Sequence, residues 1–122
     1  MNKNENAELM RKADEVLRRK DTILEENGSI VSAYNGQVSA LGVSILMIGL
    51  KPTIAVYYQD TKRRKLLDVI AKMLDRKDGA EGLTREIVRD KDDSLKTRIL
   101  NCSVALKQVI RTYELRDDYD KQ

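Results

Sequence analysis

Few residue types in this chain could do chemistry. There is no His, which excludes a His general base and a His metal ligand. The single cysteine, Cys102, cannot make a cysteine-rich zinc site. Its helical spacing from Leu95, Ile99, Leu106 and Val109 reads as core rather than nucleophile. Asp90, Asp92 and Asp93 outline a magnesium site, but Lys91 sits among them, and ending one helix and capping the next suits them better. No Gly-rich phosphate loop of the usual spacing occurs. The reading therefore assigns no catalytic residue and no metal ligand, and it expects no cofactor and no small-molecule substrate.

What remains is positive charge. Lys51, Lys62, Arg63, Arg64 and Lys65 face one nearby acid, Asp60. Asp60 lies four residues before Arg64, which leaves the other four bases without an upstream acid in helical register. From Ser94 to Tyr113 there are four bases, Lys96, Arg98, Lys107 and Arg111, and no acid. Lys96, Lys107 and Arg111 share one helical flank, with Ser103 between them. Two same-sign surfaces without local neutralisation suit a polyanion, most simply a nucleic-acid backbone. A plain solvated face is the other reading. The candidate nucleic-acid-backbone residues are Lys51, Lys62, Arg63, Arg64, Lys65, Lys96, Lys107 and Arg111. Tyr57 and Tyr58 beside the basic run either stack bases or serve as core and rim. Arg18 and Arg19 are set apart, because Asp14 and Glu15 precede them by four residues, as Glu8 precedes Lys12.

The elements that position these groups are helices, and strand-like alternation is absent. A first helix is expected over about 7–26, with Leu9, Ala13, Val16, Leu17, Ile23 and Leu24 as a narrow apolar stripe, ending at Asn27-Gly28. A second starts near Ser29 or Ser32. Its seam is Tyr34, Val38, Leu41, Ile45 and Ile48. Gly42 weakens that helix by about 1 kcal/mol, which close approach of a neighbouring backbone would offset. From Val43 to Ile48 it is apolar almost all round and should be buried. Gly49 provides a left-handed stop, and Pro52 fits the first turn of the next helix. Further helices are expected over 52–59, 61–76 and 84–91, with a loop over 77–82. A last helix starts at Asp92, Asp93 or Ser94 and runs to about Leu115, before a frayed tail. The stretch from Val38 to Tyr58 has the outline of a helix-turn-helix, but its second helix is too apolar to read base edges.

A length of 122 residues, with 41% hydrophobic and 35% charged, fits one modest core. The fold class is all-α: one domain over 1–122, with its core at about 7–115, built as a compact bundle of about five to six helices. No run of about 18 apolar residues exists, so no membrane partner is expected. The first residues lack the apolar core of a signal peptide, and a lone cysteine suits a reducing compartment. A cytoplasmic location is expected.

One family carries the same order of residues: an amphipathic charged helix, Tyr34-Asn35, Val38-Ser39-Ala40-Leu41-Gly42, Gly49-Leu50, an apolar helix ending in Tyr57-Tyr58, a basic run, and Leu66-Leu67 with Ile70. Over roughly residues 7 to 76 the chain resembles the small subunit of the type III-B CRISPR effector, the Cmr complex. The resemblance implies a non-enzymatic helical subunit in antiviral defence. Copies would stack head to tail with each other and with other Cmr-complex subunits, forming an inner filament along guide RNA and target RNA. Basic residues would neutralise phosphates without reading sequence. The alternative is a protein-only helical adaptor whose bases meet acidic partner surfaces.

Overall fold

A computed structural model describes residues 1–117. Among them are six helices and two three-residue strands: α1 (Lys3–Leu17), β1 (Ser29–Val31), α2 (Ala33–Ile48), α3 (Leu50–Gln59), α4 (Thr61–Met73), α5 (Gly79–Arg89), α6 (Lys96–Ile110) and β2 (Glu114–Arg116). The all-α bundle expected from sequence is the observed class. Helix α6 packs on both α1 and α2, α4 on α5 and α1, and α3 bridges α2, α4 and α5. The core is aliphatic, with Leu17, Leu41, Ile45, Ile54, Leu66, Leu67, Ile70, Ile99 and Leu106 fully buried. No helix among the described residues is long and apolar enough to cross a membrane.

Helix α1 starts earlier and ends sooner than its stripe suggests. Asn2 Oδ1 accepts the Glu5 amide at 2.9 Å, and Asn2 Nδ2 donates to the Glu5 carboxylate at 2.7 Å, a local cap that fixes the first turn. At the other end Thr22 Oγ1 donates to the Leu17 carbonyl at 2.6 Å, and Asp21 takes a positive φ of 61°. Ile23 is buried and Leu24 bridges Ile30, both from a loop rather than a helix. Ser29–Val31, expected at a helix start, is β1, paired in parallel with β2 in the register Ser29–Glu114, Ile30–Leu115, Val31–Arg116. Three residues are too few for an alternating pattern, and their partner lies at the other end of the chain.

The same pairing shortens the last helix. Thr112 Oγ1 donates to the Val109 carbonyl, α6 stops at Ile110, and the chain extends into β2. Tyr113 reaches back to donate to Asp14, and Arg116 pairs with Glu25. Of the tail expected to fray, Arg116 belongs to this strand; residues 118–122 lie outside the described part.

Between α2 and α3 the chain reverses at Gly49, with φ 99° and ψ 163°. This is the extended positive-φ region that essentially only Gly occupies, rather than the left-handed helical stop expected. Helix α3 runs back along α2, with Ser44 Oγ and Thr53 Oγ1 2.8 Å apart and Tyr57 OH donating to the Gln37 carbonyl at 2.7 Å.

The expected burial of 43–48 is overturned. Val43, Leu46, Met47 and Ile48 are 57%, 68%, 78% and 57% exposed. α3 and α6 cover the Val38–Leu41–Ile45 side of α2, and no element among the described residues covers the other. Ile48 thereby leaves the seam. The expected reason for Gly42 also changes. A Cβ there would lie 3.6 Å from Ser103 Oγ and 3.9 Å from Leu100, ordinary contacts with side chains rather than backbone.

Helix α5 begins at Gly79, inside the expected loop. Its first turn is held from α4, where Asp68 Oδ1 accepts the Ala80 amide at 3.1 Å. A Cβ on Gly79, which has φ 65°, would fall 2.2 Å from that oxygen.

Two glycine substitutions should therefore act in opposite directions. Gly42→Ala should stabilise the fold by about 0.5–1 kcal/mol through helix propensity. Gly49→Ala should destabilise it by about 1–3 kcal/mol. Urea denaturation measures both, and a destabilised Gly42→Ala would contradict the packing described.

Candidate nucleic-acid interface

The eight candidate bases divide into two groups at opposite ends of α2. Lys62, Arg63, Arg64 and Lys65 form the first turns of α4, where Asp60 caps the helix by accepting the Lys62 amide at 3.1 Å. Asp60 pairs with Arg63, not with Arg64 as its spacing suggested. Partial burial pulls the Asp60 carboxyl up, but the Lys62 amide and the Arg63 guanidinium together hold it below its ordinary value. Arg63 also lies over the Tyr57 ring at 5.6 Å. Arg64 instead donates to the Tyr58 carbonyl at 2.6 Å and covers the Tyr58 ring at 4.4 Å. The Tyr pair thus splits: Tyr57 is buried core, its hydroxyl pushed up by burial, and Tyr58 is half-buried at the rim.

Lys62 and Lys65 line a cleft of about 270 Å³ with Tyr34, at the start of α2. Arg111 reaches the same turn from α6, its Nε donating to Asn35 Oδ1 at 3.3 Å. Lys107 stands one turn before Arg111 on that flank. The basic segments of α4 and α6 thus flank one helix N-terminus, itself the positive end of a dipole. Ser103, expected on this flank, is buried against Gly42.

Lys96 lies eleven residues from Lys107, about 16 Å along the helix, and does not join this group. Lys51 does not either. Its ammonium donates to the Asp90 carbonyl and to Asp93 Oδ1, the latter at 2.9 Å. Sequence spacing left Lys51 without an acid because its partner is 42 residues away.

The acid cluster does half of what its spacing suggested: it ends one helix but does not cap the next. Helix α6 begins at Lys96, after Leu95, with no side-chain cap. Asp90 ends α5 and organises the linker, accepting the Asp92 amide at 3.1 Å, the Ser94 amide at 2.9 Å and the Ser94 hydroxyl at 2.6 Å. The Ser94 hydroxyl, then the two amides, hold its carboxyl down at about 2. Among the described residues no group of three His, Cys, Asp or Glu is arranged to hold a metal ion. Cys102 is fully buried, and burial pushes its thiol up to about 11, which keeps it protonated at neutral pH.

Sequence reasoning passed over Arg85 and Arg89. They stand one turn apart on α5, beside Tyr58 and Ala55 of α3. Glu81 precedes Arg85 by four residues and Glu86 precedes Arg89 by three, but Glu86 is engaged elsewhere, in a two-point pair with Arg76 at 2.9 and 3.0 Å.

Compared with protein-family models, curated proteins and solved structures, the chain matches none.

The Asp90 carboxyl titrates lower folded than its unfolded value of about 4. Its contribution to linker order is full above about pH 4 and drains as pH falls towards about 2. An NMR pH titration should give an Asp90 midpoint near 2, with the Asp92 and Ser94 amides losing exchange protection over that window. A midpoint near 4 would contradict the turn described.

Proposed function

We propose that this chain is a non-catalytic small subunit of a type III-B CRISPR ribonucleoprotein, lying beside RNA in a cytoplasmic antiviral complex. The observation that carries the reading is the convergence of Lys62 and Lys65 from α4 with Arg111 from α6 on the first turn of α2. Bases from two segments, meeting at a helix N-terminus, form a surface for phosphates that carries no sequence information. The residues of the resemblance also take distinct structural parts. Val38 and Leu41 are the buried seam, Gly49-Leu50 the corner, and Leu66, Leu67 and Ile70 the core under the basic run.

The apolar strip of Val43, Leu46, Met47 and Ile48 fits a subunit that works inside an assembly, since a contiguous exposed patch of this kind suits a protein partner. In the proposed complex that partner is another copy of the chain or a larger subunit. Arrayed copies along one strand would turn weak single contacts into avidity. The same strip favours the protein-only adaptor as the second reading, because nucleic acid would not cover it.

The triple variant Lys65→Glu, Lys107→Glu and Arg111→Glu tests the proposal in the reconstituted ribonucleoprotein. Lys65 and Arg111 are exposed and Lys107 is partly exposed, and the variant should keep its thermal midpoint. Target-RNA affinity should fall, and the slope of log affinity against log salt should shrink by about 0.7 for each phosphate no longer neutralised. Unchanged affinity and slope would remove this surface from the mechanism.

A further inference from the structure

A second feature lies away from the α2 start, between α3 and α5. Ala55 and Tyr58 from one helix and Thr84 and Val88 from the other wall a cleft of about 240 Å³. That is below the roughly 300–1,000 Å³ of sites for drug-sized ligands, so it suits one small planar group. Its lining is mixed: these side chains give apolar surface, and Gln59, Glu81, Arg85 and Arg89 give polar surface. Thr84 Oγ1 is buried and has no hydrogen-bond partner among the described residues. A helical Thr ordinarily relieves such burial by donating to the carbonyl four residues back; this one does not. Arg85 and Arg89 stand at the rim, and neither has an ion-pair partner among the described residues. Tyr58 is held in position by Arg64, stacked 4.4 Å from its ring centre.

We propose that this cleft binds a single nucleotide unit, with the base between Tyr58 and Val88 and the phosphate on Arg85 and Arg89. An apolar slot beside a fixed aromatic ring accepts a base of any identity. Two guanidinium groups one turn apart make charge-assisted bonds to the phosphate oxygens. Gln59 and Glu81, also at the cleft, offer acceptors to the ribose hydroxyls. The chemistry is that of a free mononucleotide or of one unpaired nucleotide in a strand. It goes beyond the subunit reading and does not require it, because the cleft lies wholly within this chain.

The test is a titration of the isolated chain with adenosine and uridine 5′-monophosphates, followed by NMR of methyl-labelled Ala55, Thr84 and Val88. Saturating shifts at these methyls are expected. Arg85→Ala with Arg89→Ala should weaken binding by about tenfold or more. Tyr58→Leu removes the ring and should weaken nucleotide binding while leaving the binding of inorganic phosphate unchanged. A short single-stranded oligoribonucleotide that shifts the same methyls at lower concentration would identify a strand as the source; weaker shifts than the monophosphate would identify the free nucleotide. Two results would overturn the proposal: no shift at millimolar nucleotide, or inorganic phosphate binding as tightly as the nucleotides.

Discussion

The reversal at Gly49 is the constraint on which the arrangement depends. Its φ of 99° with ψ of 163° lets two helices meet with no linker residue beyond it. A side chain at that position would be strained whatever the surrounding space. Because α3 returns along α2, the buried Thr53 meets the partly buried Ser44, and Tyr57 meets the Gln37 carbonyl. The start of α4, one residue after α3 ends, is thereby delivered next to the start of α2. The basic run owes its location to that geometry. The same corner turns Lys51 towards the α5–α6 linker, where Asp93 and the Asp90 carbonyl hold it. One backbone conformation thus decides which bases gather at the α2 start and which hold the far end together.

Most of the helical framework was legible because it is local. Val38, Leu41, Ile45, Leu66, Leu67, Ile70, Ile99, Cys102 and Leu106 have the helical period and are buried as that period requires. What misled were features decided by distant partners. The β1–β2 pair joins residues about 85 apart in sequence. The start of α5 depends on an Asp68 carboxylate from the preceding helix. The exposed strip on α2 has the composition of a core, and composition alone cannot say whether a covering element exists. Gly42 is the converse: its space is real, but side chains border it, at a distance a methyl group tolerates.

The candidate interface was legible as charge and illegible as geometry. Counting acids four residues upstream correctly set Arg18 and Arg19 apart, since each pairs with its own helix neighbour at 3.0 and 2.9 Å. The same count failed for Lys51, whose acid is distant, and for Asp60, which chose Arg63. Arg85 and Arg89 were not weighed by that count; Glu86, between them in sequence, is held by Arg76. Surface pairs of this kind contribute little to stability. Their larger effect is to decide which cations remain for a polyanion, and that depends on the fold.

Whether this chain works beside RNA as part of an assembly is best decided by capture from its native host. The tagged chain is recovered at moderate salt, co-purifying proteins are identified, and any RNA is sequenced. Short RNAs sharing a repeat-derived end, together with several larger proteins, are expected. Protein partners without RNA, or the chain recovered alone, would contradict the proposed role.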